Sequence, residues 1–206
     1  MKNLLKFTLV IILLISCKDS PKSSDSSESK VIEGLIDEVT GENVDIDKKY
    51  ALLMEDLKTK TLLTDAQLLE VFPKKLGSLN LDSNEARITS SETVKGSFGG
   101  DAVQMEILDA AGKNVIGAII PLKMLHLNKI TSENNNTIRY SKKERNGILT
   151  FGTDRDEDTK ADYQSEIRFL YDNRFYVTLE GKNMDSDKLW DALEINNLDR
   201  FKDFNK

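Results

Sequence analysis

The sequence predicts an α+β fold, in which an antiparallel sheet of about five to six strands is packed by helices and preceded by N-terminal helices. Three observations predict this class. Two amphipathic helix patterns come before Pro73, short alternating segments joined by hairpin turns follow, and no regular strand–helix–strand alternation is present. A chain of 206 residues suffices for one domain with appendages and can bury a real core.

The first clear element is an amphipathic helix that starts near Asp47. Tyr50, Leu53, Met54 and Leu57 follow a helical spacing and would form its buried face. The preceding segment, 31–45, is ambiguous and could hold a short helix that ends near residue 41. The helical part of the domain is therefore expected over residues 31–72.

A second helix starts with a capping signal. Thr64 can cap it, Gln67 follows three residues later, and Leu63 and Leu68 are placed for a hydrophobic staple. Pro73 disfavours helical geometry in the residue before it, so the helix should end by residue 72.

The sheet-containing part is expected over residues 76–206, where the hydrophobic period changes to two. Alternating patterns predict strands near 94–98, 103–107, 138–140, 148–152, 167–171 and 175–179. Tight turns should join them at Gly99-Gly100-Asp101, Asn146-Gly147 and Asp172-Asn173. A helix is expected within 116–128, with Pro121 either kinking it or, as we favour, lying in the first turn of a shorter helix. Asp185 can cap a closing helix.

The order of elements after Pro73 is similar to that of small α/β/α sandwiches of the photosystem II PsbP-like type. The similarity covers about 130 residues and rests on element order without a matching motif. It implies a fold, and it carries no functional residues to this chain.

The first 16 residues read as an export signal. Lys2 and Lys6 precede an apolar stretch over 7–15, which is far shorter than the roughly 20 residues that span a bilayer. The run Leu14-Ile15-Ser16-Cys17 resembles the lipobox of bacterial lipoproteins. In that family the cysteine sulfur receives a diacylglyceryl group, the signal is cut just before the cysteine, and the new amino group is acylated. The alternative is an ordinary secretory signal with an incidental cysteine.

Residues 17–30 are expected to be the lipidated Cys17 and a flexible Ser-rich tether. Six of the 13 residues from Lys18 to Lys30 are Ser and none is a large apolar residue, so nothing there offsets the entropy of folding. The tether would reach about 20 Å. Lys18-Asp19 also resembles in part the signal that sends Bacteroidota-type lipoproteins to the cell surface. The expected location is the outer membrane, on its periplasmic side or at the cell surface.

Composition excludes several classes of function. The net charge of −6 leaves no basic surplus for nucleic acid. One Cys and one His exclude a disulfide framework, Cys-based zinc sites and every site that needs two histidines. His126 lies in an apolar stretch and is expected to be a partly buried helix residue rather than a base. The Gly96–Gly100 run fits neither a nucleophile elbow nor a phosphate loop.

One acidic segment could hold a metal ion. Asp154, Asp156, Asp158 and Asp162 resemble positions one, three, five and nine of an EF-hand loop, and calcium is the cation that such oxygens would bind. The pattern lacks the loop's glycine and its final glutamate. The ordinary interpretation, a solvated loop between strands, is favoured.

The sequence favours a non-enzymatic binding or scaffold module on a lipid anchor, with an envelope protein as partner and no cofactor. A metal-assisted or carboxylate-based envelope hydrolase and a small-ligand carrier that binds between sheet and helix remain open. Arg145, Arg155, Arg168 and Arg174 could form an anion-binding patch, although charged residues are ordinary at solvent-facing strand positions.

Overall fold

The computed structural model describes residues 44–82, 86–113, 116–128, 132–134, 137–156 and 161–205. They belong to one compact unit, Asn43–Lys206. The predicted signal peptide, Cys17, the tether and residues 31–43 of the possible first helix lie outside the described residues.

Helices and strands alternate in groups along the chain. Two helices come first, α1 (Val44–Thr59) and α2 (Asp65–Val71), and α3 (Ile116–Leu127) follows five strands later. The chain closes with α4 (Ser186–Leu193), a 3-10 turn (Ile195–Leu198) and α5 (Asp199–Lys202). The strands are β1 (Lys75–Leu76), β2 (Leu79–Asn80), β3 (Arg87–Ser90), β4 (Thr93–Phe98), β5 (Val103–Asp109), β6 (Ser132–Asn134), β7 (Ile138–Arg145), β8 (Ile148–Arg155), β9 (Ser165–Tyr171) and β10 (Phe175–Gly181).

Eight of these strands form one sheet in the order β3-β4-β5-β10-β9-β8-β7-β6, and each neighbouring pair is antiparallel. The predicted α+β class is confirmed, but the predicted number of strands is too low. The strands that the sequence missed are short. β3 is mostly exposed and polar, and β6 has three residues, so neither produces a hydrophobic alternation.

The three predicted hairpin turns are present. Asn146 and Gly147 have φ of 51° and 75°, and Asp172 and Asn173 have φ of 50° and 54°. Such left-handed pairs match the twist of the strands they join. The second helix also forms as expected, since Thr64 and Gln67 make a full capping box and the helix ends at Val71, before Phe72 and Pro73.

One face of the sheet, the α2/α4 face, carries the main core. Alternate residues of the central strands, among them Met105, Phe169 and Val177, pack against α2, α4 and the C-terminal segment. The ring of Phe169 contacts that of Trp190 on α4 edge-on, with 5.3 Å between centroids.

The other face, the α1/α3 face, is covered only in part. Tyr50 and Leu57 of α1 and Ile119 and Leu122 of α3 pack with Phe151 of the sheet. The preference for a short helix that begins at Pro121 is wrong, because Pro121 lies inside a continuous α3. Pro121 is exposed to solvent. Water can therefore hydrogen-bond the carbonyl of Gly117, four residues earlier, which Pro121 cannot satisfy because it has no backbone N–H.

Arg174 is the largest departure from the expected exposure, because it is 2% exposed. Its Nε and Nη2 atoms donate to the two carboxylate oxygens of Asp109, each at 2.7 Å. The guanidinium also donates to the carbonyls of Thr61 and Phe204. Arg174 therefore ties the α1–α2 linker and the C-terminus to the sheet.

Candidate functional site: a basic pocket on the sheet

The α1/α3 face of the sheet continues beyond its two helices as a polar surface. Successive side chains alternate between faces, so Glu166 and Arg168 point away from the core while Ile167 and Phe169 enter it. The register places Glu166 opposite Thr153 on one side and Glu180 on the other. Arg155 stands two residues after Thr153 on β8 and shares its face, so charged groups from β8, β9 and β10 meet on one face.

A pocket of about 340 Å³ lies where this surface meets the C-terminal end of α3. Its polar lining includes Lys142 of β7, Arg155 of β8, and Glu166 and Arg168 of β9. Its apolar lining includes Leu125, Ile138, Tyr140 and Phe151. The pocket therefore joins a basic wall to an apolar wall.

Glu166 is the charged centre of this pocket and is 7% exposed. Its carboxylate lies 2.6 Å from Nε of Arg168 and 3.8 Å from Nη2 of Arg155. Burial is the largest single effect on Arg168 and lowers the pKa of its guanidinium, but Glu166, Tyr176 and Glu180 together raise that pKa above its usual value. The two arginines compensate the buried carboxylate, as a buried charge requires.

Lys142 and Arg155 differ in the hydrogen-bond donors that they leave available. Nζ of Lys142 donates to the carbonyls of His126 and Asn128 at 2.7 Å each, so it caps the end of α3, and burial lowers the pKa of its ammonium. Within the described residues, the guanidinium of Arg155 has only the 3.8 Å ion pair to Glu166. That guanidinium therefore keeps donors for another acceptor.

Glu180 lies beside the pocket, directly across the β9–β10 ladder from Glu166. Burial raises the pKa of its carboxyl, and the charge of Glu166 raises it further. Like charges that face each other across a ladder oppose each other. Lys95 and Arg155 oppose this effect and lower the pKa of the Glu180 carboxyl, so the sheet accommodates both carboxylates.

The four arginines of the predicted anion-binding patch do not come together. Arg155 and Arg168 converge in the pocket, whereas Arg145 lies on the opposite face, with its guanidinium carbon 5.9 Å from the Trp190 ring centroid. Arg174 is buried. The expectation of four exposed arginines is wrong for Arg145 and Arg174, because each is covered by the C-terminal helices and paired with an acid, Asp187 or Asp109.

The predicted metal ligands are only partly described. Asp154 is turned toward α4, where its carboxylate accepts from the Ser186 backbone N–H at 2.6 Å and from the Ser186 hydroxyl at 3.0 Å. Asp156 and Asp162 are exposed, and Asp158 lies outside the described residues. In the part of the chain that the structure describes, no group of three or more acidic, His or Cys side chains could hold a metal ion. Calcium binding stays a prediction.

The contacts of Asp154 predict a structural role that needs no metal. Asp154→Ala should lower the free energy of unfolding by about 1–3 kcal/mol, because an N-terminal N–H of α4 and a buried hydroxyl lose their charged acceptor. Asp162→Ala, at an exposed residue of the same predicted metal site, is the matched control and should change it by less than about 0.5 kcal/mol. Urea melts with calcium and with chelator measure both. If Asp154→Ala lowered the free energy of unfolding only in the presence of calcium, that result would contradict the structural role and support a calcium site.

His126 lines a second pocket, of about 250 Å³, between α1, α3 and the β7–β8 turn. Its ring contacts Tyr50 edge-on, with centroids 5.7 Å apart. Burial and the nearby Lys49 and Lys142 lower the pKa of the imidazole. His126 is thus a partly buried residue of α3, as the sequence predicted, and burial favours the neutral form of its ring.

No protein family, curated protein or solved structure matches this chain. Among the described residues, no helix has the length and apolar character needed to cross a bilayer. Lys142 and Glu166 were not predicted as site residues from the sequence. A signal for Glu166 was available, since it directly precedes the predicted strand 167–171 and stands two residues before Arg168, so it would share the face of Arg168 if the strand began one residue earlier.

Proposed function

We propose that this chain is an envelope lipoprotein, held at the outer membrane through an acylated Cys17, that acts as a non-enzymatic binding module. The basic pocket beside α3 is its binding site. Its place between the sheet and a helix is where a small-ligand carrier would hold its cargo, so binding and carriage use the same surface here.

The support for anchoring is the sequence Leu14-Ile15-Ser16-Cys17, which follows two lysines and the apolar stretch 7–15. A thiolate is the nucleophile that thioether formation needs, and Cys17 is the chain's one cysteine. Each buried methylene of an acyl chain contributes about 0.8 kcal/mol, so three chains would hold the domain at the membrane without measurable release.

The observation that carries the binding role is Arg155. A guanidinium that is 25% exposed lines a concave pocket, with one long ion pair among the described residues and an apolar wall beside it. Pockets with a few convergent polar groups on an apolar lining are the usual form of ligand sites. The arrangement offers recognition through charge and shape.

The anchoring part is tested by Cys17→Ser in the host organism. The variant should either appear as soluble protein or keep its uncleaved signal, whereas the wild-type chain should sediment with the membrane and enter the detergent phase. Fractionation with immunoblotting measures the difference, and Ser16→Ala, which keeps a small residue before the cysteine, is the matched control. Unchanged membrane fractionation of a cleaved Cys17→Ser chain would defeat the proposal.

A further inference from the structure

We infer that the pocket beside α3 binds an organic phosphate dianion, a phosphate monoester attached to a small apolar group. The inference rests on the proposed binding function and names the chemistry of the ligand. It is carried by the charge of the lining, by the donors that remain available there, and by the apolar wall next to them.

The charge of the pocket is opposite to that of the chain. The chain has a net charge of −6, yet the lining of the pocket has three basic side chains, Lys142, Arg155 and Arg168, against one carboxylate, Glu166. A concave surface of one sign concentrates ligands of the other sign. The lining alone has an excess of two positive charges, and Glu180 beside it reduces that excess, so the surplus favours a phosphate anion over a neutral ligand.

The geometry of the arginines fits phosphate. Guanidinium groups offer several N–H donors in a planar fork, which binds phosphate oxygens in pairs. Arg168 uses its Nε for Glu166 at 2.6 Å and is 38% exposed, while Arg155 is held only at 3.8 Å. Both can therefore turn donors toward a phosphate without losing the compensation of Glu166.

The apolar wall limits the rest of the ligand. Phe151, Leu125 and Ile138 line the pocket beside the arginines, and Tyr140 is 40% exposed at its rim. A volume of about 340 Å³ is at the lower end of the range for small-molecule sites. The pocket thus accommodates one phosphate and a group about the size of a phenyl ring or a short acyl chain.

The test is calorimetric titration of the full chain, in non-ionic detergent, with phenyl phosphate at pH 8. Benzyl alcohol, which keeps the ring and removes the charge, is the matched control ligand. We expect saturable binding of phenyl phosphate and none of benzyl alcohol over the same range of concentration.

Arg155→Gln should weaken the binding of phenyl phosphate by about tenfold or more, because a charged donor pair is lost. Arg155→Lys keeps the charge but not the fork, so it should retain part of the affinity. Arg87→Gln, on exposed β3 at the other end of the sheet, removes the same charge and should leave the affinity unchanged. Thermal melts show that each variant is folded.

Dihexanoyl phosphatidate, corrected by a titration into the same detergent without protein, distinguishes a lipid headgroup from a free phosphate ester. Tighter binding of phosphatidate than of phenyl phosphate identifies a lipid, and the reverse order identifies a soluble ester. Absence of binding to both, or equal affinity of wild-type protein and folded Arg155→Gln, would overturn the inference. That result would leave the Cys17 anchor untouched, and a failed fractionation test would leave the pocket chemistry untouched.

Discussion

Arg174→Ala should lower the free energy of unfolding by about 3–5 kcal/mol, because it leaves the buried carboxylate of Asp109 without its charge partner. Asp109 is 1% exposed, so water cannot replace the guanidinium. The carbonyls of Thr61 and Phe204 lose their donor as well. In a domain of this size the melting temperature should fall by about 6–20 °C.

Arg200→Ala is the control for Arg174→Ala. Arg200 pairs with Glu70 at 3.1 Å, but the two side chains are 55% and 65% exposed. Exposed pairs of this kind contribute less than about 1 kcal/mol. Chemical melts of the two variants measure the contrast. Equal losses of unfolding free energy in the two variants would show that burial does not increase the contribution of the Arg174–Asp109 pair to stability.

Phe201→Ala should lower the free energy of unfolding by a similar amount, about 3–5 kcal/mol. Phe201 lies on the short α5, is fully buried, and has its ring centroid 4.8 Å from that of Phe175 on β10. A helix of four residues has little stability of its own. Loss of the ring should therefore release the C-terminal segment as well as leave a cavity.

The neighbouring Asp203 is exposed and provides the control for Phe201→Ala. Asp203→Ala should change the free energy of unfolding by less than about 0.5 kcal/mol. Hydrogen exchange adds a local readout, because amides of 195–205 should lose protection first in Phe201→Ala. Protection that falls uniformly over the sheet would contradict a local release of the C-terminus.

The elements that the sequence predicted well are those whose signals are local. The capping box of Thr64 and Gln67 depends on residues three apart, and the Asn146-Gly147 turn depends on two adjacent residues. The strands that it missed, β3 and β6, are short strands at the two edges of the sheet. Each pairs with the strand that follows it in the chain, but neither has the alternating apolar residues that would mark it in the sequence. Pro121 shows a different limit, because the sequence does not reveal that this proline faces solvent within a continuous α3.

The site was predictable only in part, because its residues lie on three different strands. Alternation placed Arg168 on the solvent side of its strand, and Arg155 lies there too. The same alternation with buried residues predicts that Arg174 faces solvent. Arg174 directly precedes β10, however, and there the C-terminal segment covers it. The meeting of Lys142, Arg155 and Arg168 depends on the order of three strands, which no local pattern encodes.

The anchor at Cys17 decides whether this pocket works at a membrane or elsewhere, and one measurement addresses it most directly. The protein is purified from its host in detergent, and the mass of its N-terminal peptide is determined. The proposal predicts a peptide that begins at Cys17 and carries the mass of a diacylglyceryl thioether and an amide-linked acyl chain. A peptide in which the Cys17 thiol is free would contradict it.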